Sequence, residues 1–349
     1  MRDNAAAVAR CFVTRELPGP ALDRLRERHE VDVWPERLPP AYEELRARTA
    51  DVAGLLSLLT DRVDAALIDG SPQLRAIANY AVGYDNIDLE AARARGIPVG
   101  NTPDVLTDAT ADLAFTLLLA AARRLPDALR SVADRDWLTW DPNGFLGQDV
   151  FGATLGIIGM GRIGRAVARR AQGFEMNVLH TGSDGGVPLL TLLRRSDFIS
   201  IHAPLTPDTH HLIDAAALAA MKPTAILINT ARGPIVEEAA LIDSLESGRI
   251  AGAALDVFEK EPLSASSPLV AMENVILTSH SIAWTEELFR DMGRIDCQGA
   301  LAIHRGEVPE HVVNPQVLSS PAFLQKLSNY KTELDAYKAG VAAAADKTA

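Results

Sequence analysis

The sequence predicts an α/β protein made of two doubly wound parallel-sheet domains, and three observations carry that prediction. Short apolar runs alternate with helix-like segments through most of the chain, which is the rhythm of strand–helix–strand units that pair in parallel. One run, "ATLGIIG" (153–159), leads into Gly159-Met160-Gly161-Arg162-Ile163-Gly164 and then into a helical pattern over 162–171. A length of 349 residues also suits two separate cores better than one.

In the first hundred residues "RCFVT" (10–14) reads as a strand and "GPALDRLRERH" (19–29) as an amphipathic helix. "VDVW" (31–34), "VAGLLSLL" (52–59), "LRAIANY" (74–80) and "IPVGNT" (97–102) read as further strands or strand–loop units, each bounded by Gly, Pro or Asp. A long helix follows, with Thr107 and Asp108 as candidate caps and residues 109–124 continuing it until Pro126. Its apolar residues run nearly all the way round, so burial on several sides is expected, at a domain junction or a subunit interface. Beyond the glycine turn, "MNVLHT" (176–181), "DFISIHA" (197–203), "TAILINTA" (224–231), "AGAALDV" (251–257) and "NVILTSH" (274–280) read as strands separated by helices. The ending "AGVAAAADKTA" reads as a peripheral helix running into a loose tail.

Composition excludes several function classes. The chain is 48% apolar and 23% charged, ordinary for a globular protein. A formal net charge of −12 with no basic run disfavours nucleic acid or an anionic membrane as partner. Cys11 and Cys297 lie far apart with no metal-ligand spacing, so no metal is expected and both read as free thiols in a reducing cytoplasm. "MRDNAAAVAR" lacks the apolar core of an export signal, and "DLAFTLLLAAA" (112–122) is too short to span a bilayer.

The glycine turn has the strand-then-helix context that gives the pattern a mechanism. Gly159 permits the tight turn, Gly161 lets a pyrophosphate approach the backbone, and Gly164 lets the helix pack close. Free N–H groups at the helix start then face phosphate. In doubly wound folds the ligand crevice lies outside the carboxyl ends of the strands, and three segments place chemistry there. "INTARGPIVEEAAL" (228–241) offers Arg232, whose guanidinium can clamp a carboxylate and an adjacent carbonyl. "LDVFEKEP" (255–262) offers Asp256, Glu259 and Glu261, and "ILTSHSIAWTEE" (276–287) offers His280. A carboxylate beside a histidine favours its charged form, ready to give a proton to a carbonyl oxygen.

These residues resemble the D-isomer-specific 2-hydroxyacid dehydrogenase family, in its glyoxylate/hydroxypyruvate reductase branch. The similarity runs from "FVTRELPGPALDRL" to "HVVNPQVL", through "ANYAVGYDNID" (78–88), "NTPDVLTDATADLAFTLLLA" (101–120), "FLGQDVFGATLGIIGMGRIG" (145–164) and "HAPLTPDTHHLI" (202–213). The resemblance implies a Rossmann nucleotide domain (101–298) inserted in a flavodoxin-like substrate domain (1–100 plus 299–330), with 331–349 as a loose tail and the active site in the cleft between domains. It implies Arg232 as the substrate-binding residue, His280 as the acid/base and Glu261 as its partner, and the backbone at Val82 and Gly83 as the seat of the substrate carboxylate. It places the nicotinamide carboxamide at Asp256, and cofactor contacts at Thr110, Pro204, Thr209, Thr230 and Ala231. It also implies a homodimer whose arm is the 104–151 region, and a reaction in which a small 2-oxo acid and a nicotinamide cofactor give a D-2-hydroxy acid.

Three departures bear on specificity. Where NAD-preferring members carry Asp, this chain has Gly182, followed by Ser183 in place of the Arg of NADP-preferring members. Losing the carboxylate removes repulsion of a 2′-phosphate and Ser183 can donate to it, which favours NADP over NAD, whereas Asp184 can instead act as the missing carboxylate. From Gly182 to Phe198 the chain is also roughly ten residues short of the reductases it tracks, as though a helix and part of an edge strand were trimmed. Finally, Ser279 stands where Pro commonly precedes the histidine, and Trp284 is expected to crowd His280. That leaves two alternatives: a dehydrogenase for a larger 2-hydroxy acid, or a dinucleotide-sensing, co-repressor-like protein on the same fold.

Overall fold

A computed structural model describes residues 9–183, 185–281 and 284–345, apart from the side chains of 334 and 336–345. The chain forms two compact units, one from residues 1–105 and 285–349 and the other from 106–284.

The first unit begins with β1 (Arg10–Val13), α1 (Ala21–Arg26), β2 (Glu30–Val33), α2 (Tyr42–Thr49), β3 (Gly54–Ser57), α3 (Ala65–Asp69), β4 (Ala76–Asn79), α4 (Leu89–Ala94) and β5 (Val99–Gly100). Its five strands are all parallel, in the order β2-β1-β3-β4-β5, the flavodoxin-like arrangement. The short helices start where a side chain can satisfy an orphan N–H. Asp64 accepts from the Leu67 N–H at 3.1 Å, and Asp88 from the Ala91 N–H at 2.9 Å.

The second unit contains α5 (Thr107–Ala122), α6 (Leu125–Ala133), β6 (Thr154–Ile158), α7 (Arg162–Gln172), β7 (Asn177–Gly182), β8 (Gly185–Gly186), α8 (Leu189–Arg195), β9 (Phe198–Ile201), α9 (Ala215–Ala220), β10 (Ile226–Asn229), α10 (Glu238–Glu246), β11 (Gly252–Leu255) and β12 (Val275–Leu277). The sheet runs β12-β11-β10-β9-β6-β7-β8, parallel except for the edge strand β8. Strand order reverses between β6 and β9, the switch point of a Rossmann sheet. The strands read as unbroken apolar runs because both faces are covered. Ile199, Ile201 and Leu227 pack into one core, and Phe198, Ile226 and Ile228 into the other.

Two details of the long helix differ from expectation. Thr107 and Asp108 do not cap α5; the chain enters at Leu106 without a side-chain cap, and both residues are already in the first turn. There Asp108 faces Arg170 of α7, as does Asp112 one turn on. Pro126 does not stop the helix either. The break is at Arg124, in the left-handed conformation with φ 48°, and Pro126 sits in the first turn of α6, where a missing N–H costs nothing. The segment 182–198 keeps a helix, α8, while its edge is cut to the two-residue β8. Gly185 and Gly186, with φ of 106° and 99°, turn the hairpin in a conformation other residues rarely adopt.

The chain then returns to the first unit with α11 (Glu286–His304) and α12 (Pro321–Ala345). The expected boundary at 298/299 would have cut α11, which instead belongs whole to the first unit. A continuous helix moves as one piece, so the divide falls in the loop before it. The expected loose tail is helical to Ala345, and residues 346–349 lie outside the described set. Among the described residues no helix is long and apolar enough to cross a membrane.

Asp296 on α11 is 2% exposed and neither of its carboxyl oxygens has a hydrogen-bond partner. Burial raises its pKa well above the usual carboxylate value of 3.8, so the folded chain keeps a proton that the unfolded chain releases. Stability from this group is therefore present at low pH and lost as pH rises from about 4. Asp296→Asn should melt a few degrees higher than the wild type at pH 8, with the gap closing towards pH 4. Parallel melting curves across that range would contradict this reading.

Candidate active site

Because β6, β7, β9, β10, β11 and β12 are parallel, the loops after them emerge along one edge of the sheet. Gly159 follows β6, Ser183 follows β7 and Pro204 follows β9. Thr230, Ala231 and Arg232 follow β10, Asp256 and Glu261 follow β11, and His280 follows β12. Nearly every residue singled out in the second unit thus lies on the edge where such sheets bind ligands. Thr110 is the exception, in α5.

The glycine turn is built by close approach. Gly159 has φ +93°, and a Cβ there would sit 2.7 Å from the Ala203 nitrogen and the His202 carbonyl carbon. At Gly164 it would meet the Gly159 oxygen at 2.2 Å. At Gly161, in contrast, nothing lies within 4 Å, and this residue opens α7 with no side-chain cap. Space is therefore open beside the start of α7, where a helix leaves N–H groups without intrahelical partners. Arg162 is exposed here, while Met160 and Ile163 pack against the core. Thr110 and Thr230 are buried with hydroxyls that have no hydrogen-bond partner, as groups awaiting a polar ligand would be. These residues fit a dinucleotide.

Arg232, Glu261 and His280 come together in the same unit. His280 Nδ1 and Glu261 Oε2 are 2.8 Å apart, and Glu261 Oε1 accepts from the Phe258 N–H at 3.0 Å. Burial works against the Glu261 carboxylate, but the hydrogen bond and charge of His280, the Phe258 N–H and the Arg232 guanidinium together hold it below the usual range. Gly233 lets the Arg232 turn lie hard against the 258–259 backbone, since a Cβ there would fall 1.9 Å from the Phe258 carbonyl. The Arg232 carbonyl accepts from Asn229 Nδ2 at 3.0 Å, and its Nη1 donates to the Ala231 carbonyl at 2.8 Å.

His280 sits in the left-handed region, φ 53°, a strained state for a non-glycine residue. Its N–H donates to the Asp256 carbonyl at 2.9 Å. The Asp256 carboxylate, fully buried, accepts from the Thr278 hydroxyl, and from Ser281 through its N–H at 2.8 Å and its hydroxyl at 3.2 Å. Asp256 is therefore the clasp of the histidine turn, a role that sequence reasoning did not give it.

Other expected residues fall as follows. Gly182 pairs with Gly185 across the β7–β8 hairpin, and it and Ser183 are exposed; Asp184 lies outside the described residues. Thr209 donates to the Pro204 carbonyl at 2.7 Å and closes that loop. The Ala231 N–H donates to Asn229 Oδ1. In the first unit, the Val82 and Gly83 carbonyls each accept at 2.8 Å, from Asn101 and Asn79 respectively, which fixes their loop. Trp284, expected to crowd His280, is 65% exposed. Glu259 turns to His211 Nε2, 2.7 Å away, a second His–Glu pair whose only trace in the sequence was "THHLI". His202, beside Gly159, is held neutral by burial, which lowers it to about 4.

The comparisons agree with this geometry. The model of the D-isomer specific 2-hydroxyacid dehydrogenase NAD-binding domain matches residues 115–281. A glyoxylate reductase of Korarchaeum cryptofilum is 48% identical over 321 residues, covering 88% of this chain and 97% of that protein. One from Pyrococcus horikoshii is 45% identical, with 88% and 96% covered. A crystal structure of an NADPH-dependent glyoxylate/hydroxypyruvate reductase from Sinorhizobium meliloti, in complex with NADP and malonate, superimposes with a TM-score of 0.78 at 32% identity, covering 88% of this chain and 97% of that one. A sheet that reverses order beside an open glycine turn, with an Arg, Glu and His gathered at its carboxyl edge, thus has its counterparts among known enzymes: the chain belongs to the D-isomer specific 2-hydroxyacid dehydrogenase family, in the glyoxylate reductase branch.

Proposed function

We propose that the protein reduces a small 2-oxo acid of the glyoxylate type to the D-2-hydroxy acid, with NADPH or NADH as reductant. The observation that carries this reading is the 2.8 Å Glu261–His280 pair, in the same unit as Arg232 and the glycine turn. The bound nicotinamide supplies the hydride for the keto carbon. His280 delivers the proton to the carbonyl oxygen through Nε2, since Nδ1 is engaged by Glu261. Glu261 orients the imidazole and balances its charge, and Arg232 orients the substrate and stabilises the developing alkoxide. Gly161 and the start of α7 receive the pyrophosphate, and Thr110, Thr209 and Thr230 give further polar contacts. The two buried free thiols suit a reducing cytoplasm.

The test is loss of the reduced-nicotinamide absorbance with a panel of 2-oxo acids. Wild type should turn over glyoxylate or hydroxypyruvate, and His280→Ala should lower kcat about 100-fold or more while binding the cofactor normally. No turnover with any acid would shift the assignment to a dinucleotide-sensing role.

For the cofactor we favour NADPH, because Gly182 stands where NAD-preferring members carry Asp and the exposed Ser183 after it offers a hydroxyl to a 2′-phosphate. Ser183→Asp should then move the NADPH/NADH ratio of kcat/KM towards NADH by about tenfold, roughly 1.4 kcal/mol; an unchanged ratio would overturn the assignment of this turn.

We also assign the 104–151 arm to a homodimer interface. Leu129, Leu138 and Trp140 are 63%, 89% and 81% exposed, more apolar surface in one segment than a monomer usually leaves wet. Sedimentation should show a dimer, and Leu138→Asp combined with Trp140→Asp should give the monomer. A monomeric wild type at micromolar concentration would contradict it.

A further inference from the structure

The first unit gathers a second group of side chains, none of which has a role in the proposed reaction. Among the described residues, Cys11, His29 and His304 are a set whose donor atoms all lie within 4.8 Å of one another. Cys11 is on β1 and His29 is the residue before β2, and the parallel register, Arg10 to Glu30 and Cys11 to Val31, makes them neighbours. His304 is the last residue of α11. The two imidazoles lie with ring centroids 4.2 Å apart, tilted by 49°.

The two imidazoles lack ordinary company. His29 is 7% exposed, yet neither of its ring nitrogens has a hydrogen-bond partner, nor does His304 Nε2. The Ala9 carbonyl lies near enough to His29 to favour its charged form, but it is outside hydrogen-bond geometry and already accepts from the Glu30 N–H at 3.3 Å. Leaving a buried ring nitrogen unsatisfied is destabilising, so three such atoms converging beside a thiol call for an explanation. Gly54 keeps the space open, since a Cβ there would fall 2.8 Å from Cys11 Sγ.

We propose that Cys11, His29 and His304 form a three-coordinate site for a soft monovalent cation, copper(I), bound by one thiolate and two neutral imidazoles.

Ligand type, number and charge all select that ion. Thiolate and imidazole together suit copper(I) or zinc(II), but a structural zinc site takes four ligands and the set offers three. Arg75 and Arg28 bear on the cluster as positive charges, and Arg75 is held by Glu333 at 2.8 Å and by the Tyr330 ring. A divalent ion would leave a net positive complex buried beside them, whereas copper(I) with one thiolate is neutral. Burial favours the neutral form of all three groups, lowering His29 to about 4 and His304 to about 3 and pushing the Cys11 thiol up to about 12, so the thiol proton leaves only as the metal displaces it. On binding, the Cys11 S–H bond breaks, its proton goes to solvent, and the sulfur lone pair goes to the metal without any change of oxidation state. The bond network would tie β1, β2 and the end of α11 together, joining the two stretches of chain that make up the first unit.

The test is anaerobic titration of the full chain with copper(I) against a chromophoric copper(I) chelator, together with the thiolate-to-copper(I) ultraviolet band and the melting temperature. Wild type should take up one equivalent, develop the band and melt higher. Cys11→Ser and His304→Phe should each lose more than about 100-fold in affinity. His304→Phe replaces a buried unsatisfied ring by an apolar one of similar size, so its melting temperature without copper should equal or exceed that of the wild type, which separates ligand loss from misfolding. Cys297→Ser should bind as the wild type does. Uptake that survives Cys11→Ser and His304→Phe would place the ion elsewhere, as on the adjacent His210 and His211, and would overturn the site. So would failure of wild type to compete with the chelator. Binding of zinc(II) with no binding of copper(I), or loss of binding in Cys297→Ser, would overturn the three-ligand monovalent assignment.

Discussion

Asp256 accepts hydrogen bonds from the Thr278 hydroxyl and from the Ser281 N–H and hydroxyl, while its carbonyl takes the His280 N–H. That convergence holds a histidine at φ 53°. The left-handed conformation costs roughly 1–2 kcal/mol, whereas each hydrogen bond to a charged group contributes about 1.5–3 kcal/mol, so the clasp outweighs the strain with a margin. With the turn fixed, Nδ1 meets Glu261 and Nε2 is left for chemistry. The imidazole is thus oriented by bonds within the protein itself, and preorganisation of this kind is what lets a proton donor act without reorganising.

Much of the fold was legible in the sequence because its signals are local. Buried parallel strands announce themselves as short apolar runs, and Phe198, Ile199 and Ile201 show why: consecutive residues feed opposite cores. The glycine turn was equally legible, since Gly159 and Gly164 stand where the backbone leaves no room for a Cβ. Signals that depend on competition between neighbours were misread. Pro126 stops a helix in most settings, but here the chain had already turned at Arg124 and could place the ring in a new first turn. The boundary at 298/299 failed because periodicity shows that a helix exists without showing which core it serves.

The site was legible to the extent that residue type limits role. Arg232, Glu261 and His280 could be named because few residue types clamp carboxylates or trade protons, and the parallel topology brings the ends of their strands to one edge. The clasp at Asp256 was not visible, because its partners, Thr278 and Ser281, are ordinary residues whose importance comes only from where they fold. Cys11, His29 and His304 were invisible for a stronger reason. They share no spacing, since their meeting depends on the register of β1 with β2 and on a helix nearly three hundred residues away.

The proposed chemistry depends on a carboxylate that holds the acid/base histidine in working position. Its most direct test is steady-state kinetics of Glu261→Gln with the preferred 2-oxo acid, alongside fluorescence titration of the reduced cofactor. Glutamine keeps the shape and loses the charge, so kcat should fall about 100-fold or more with cofactor affinity unchanged. A variant that keeps wild-type kcat would show that the pair does not serve the reaction, and the account of this site would fail.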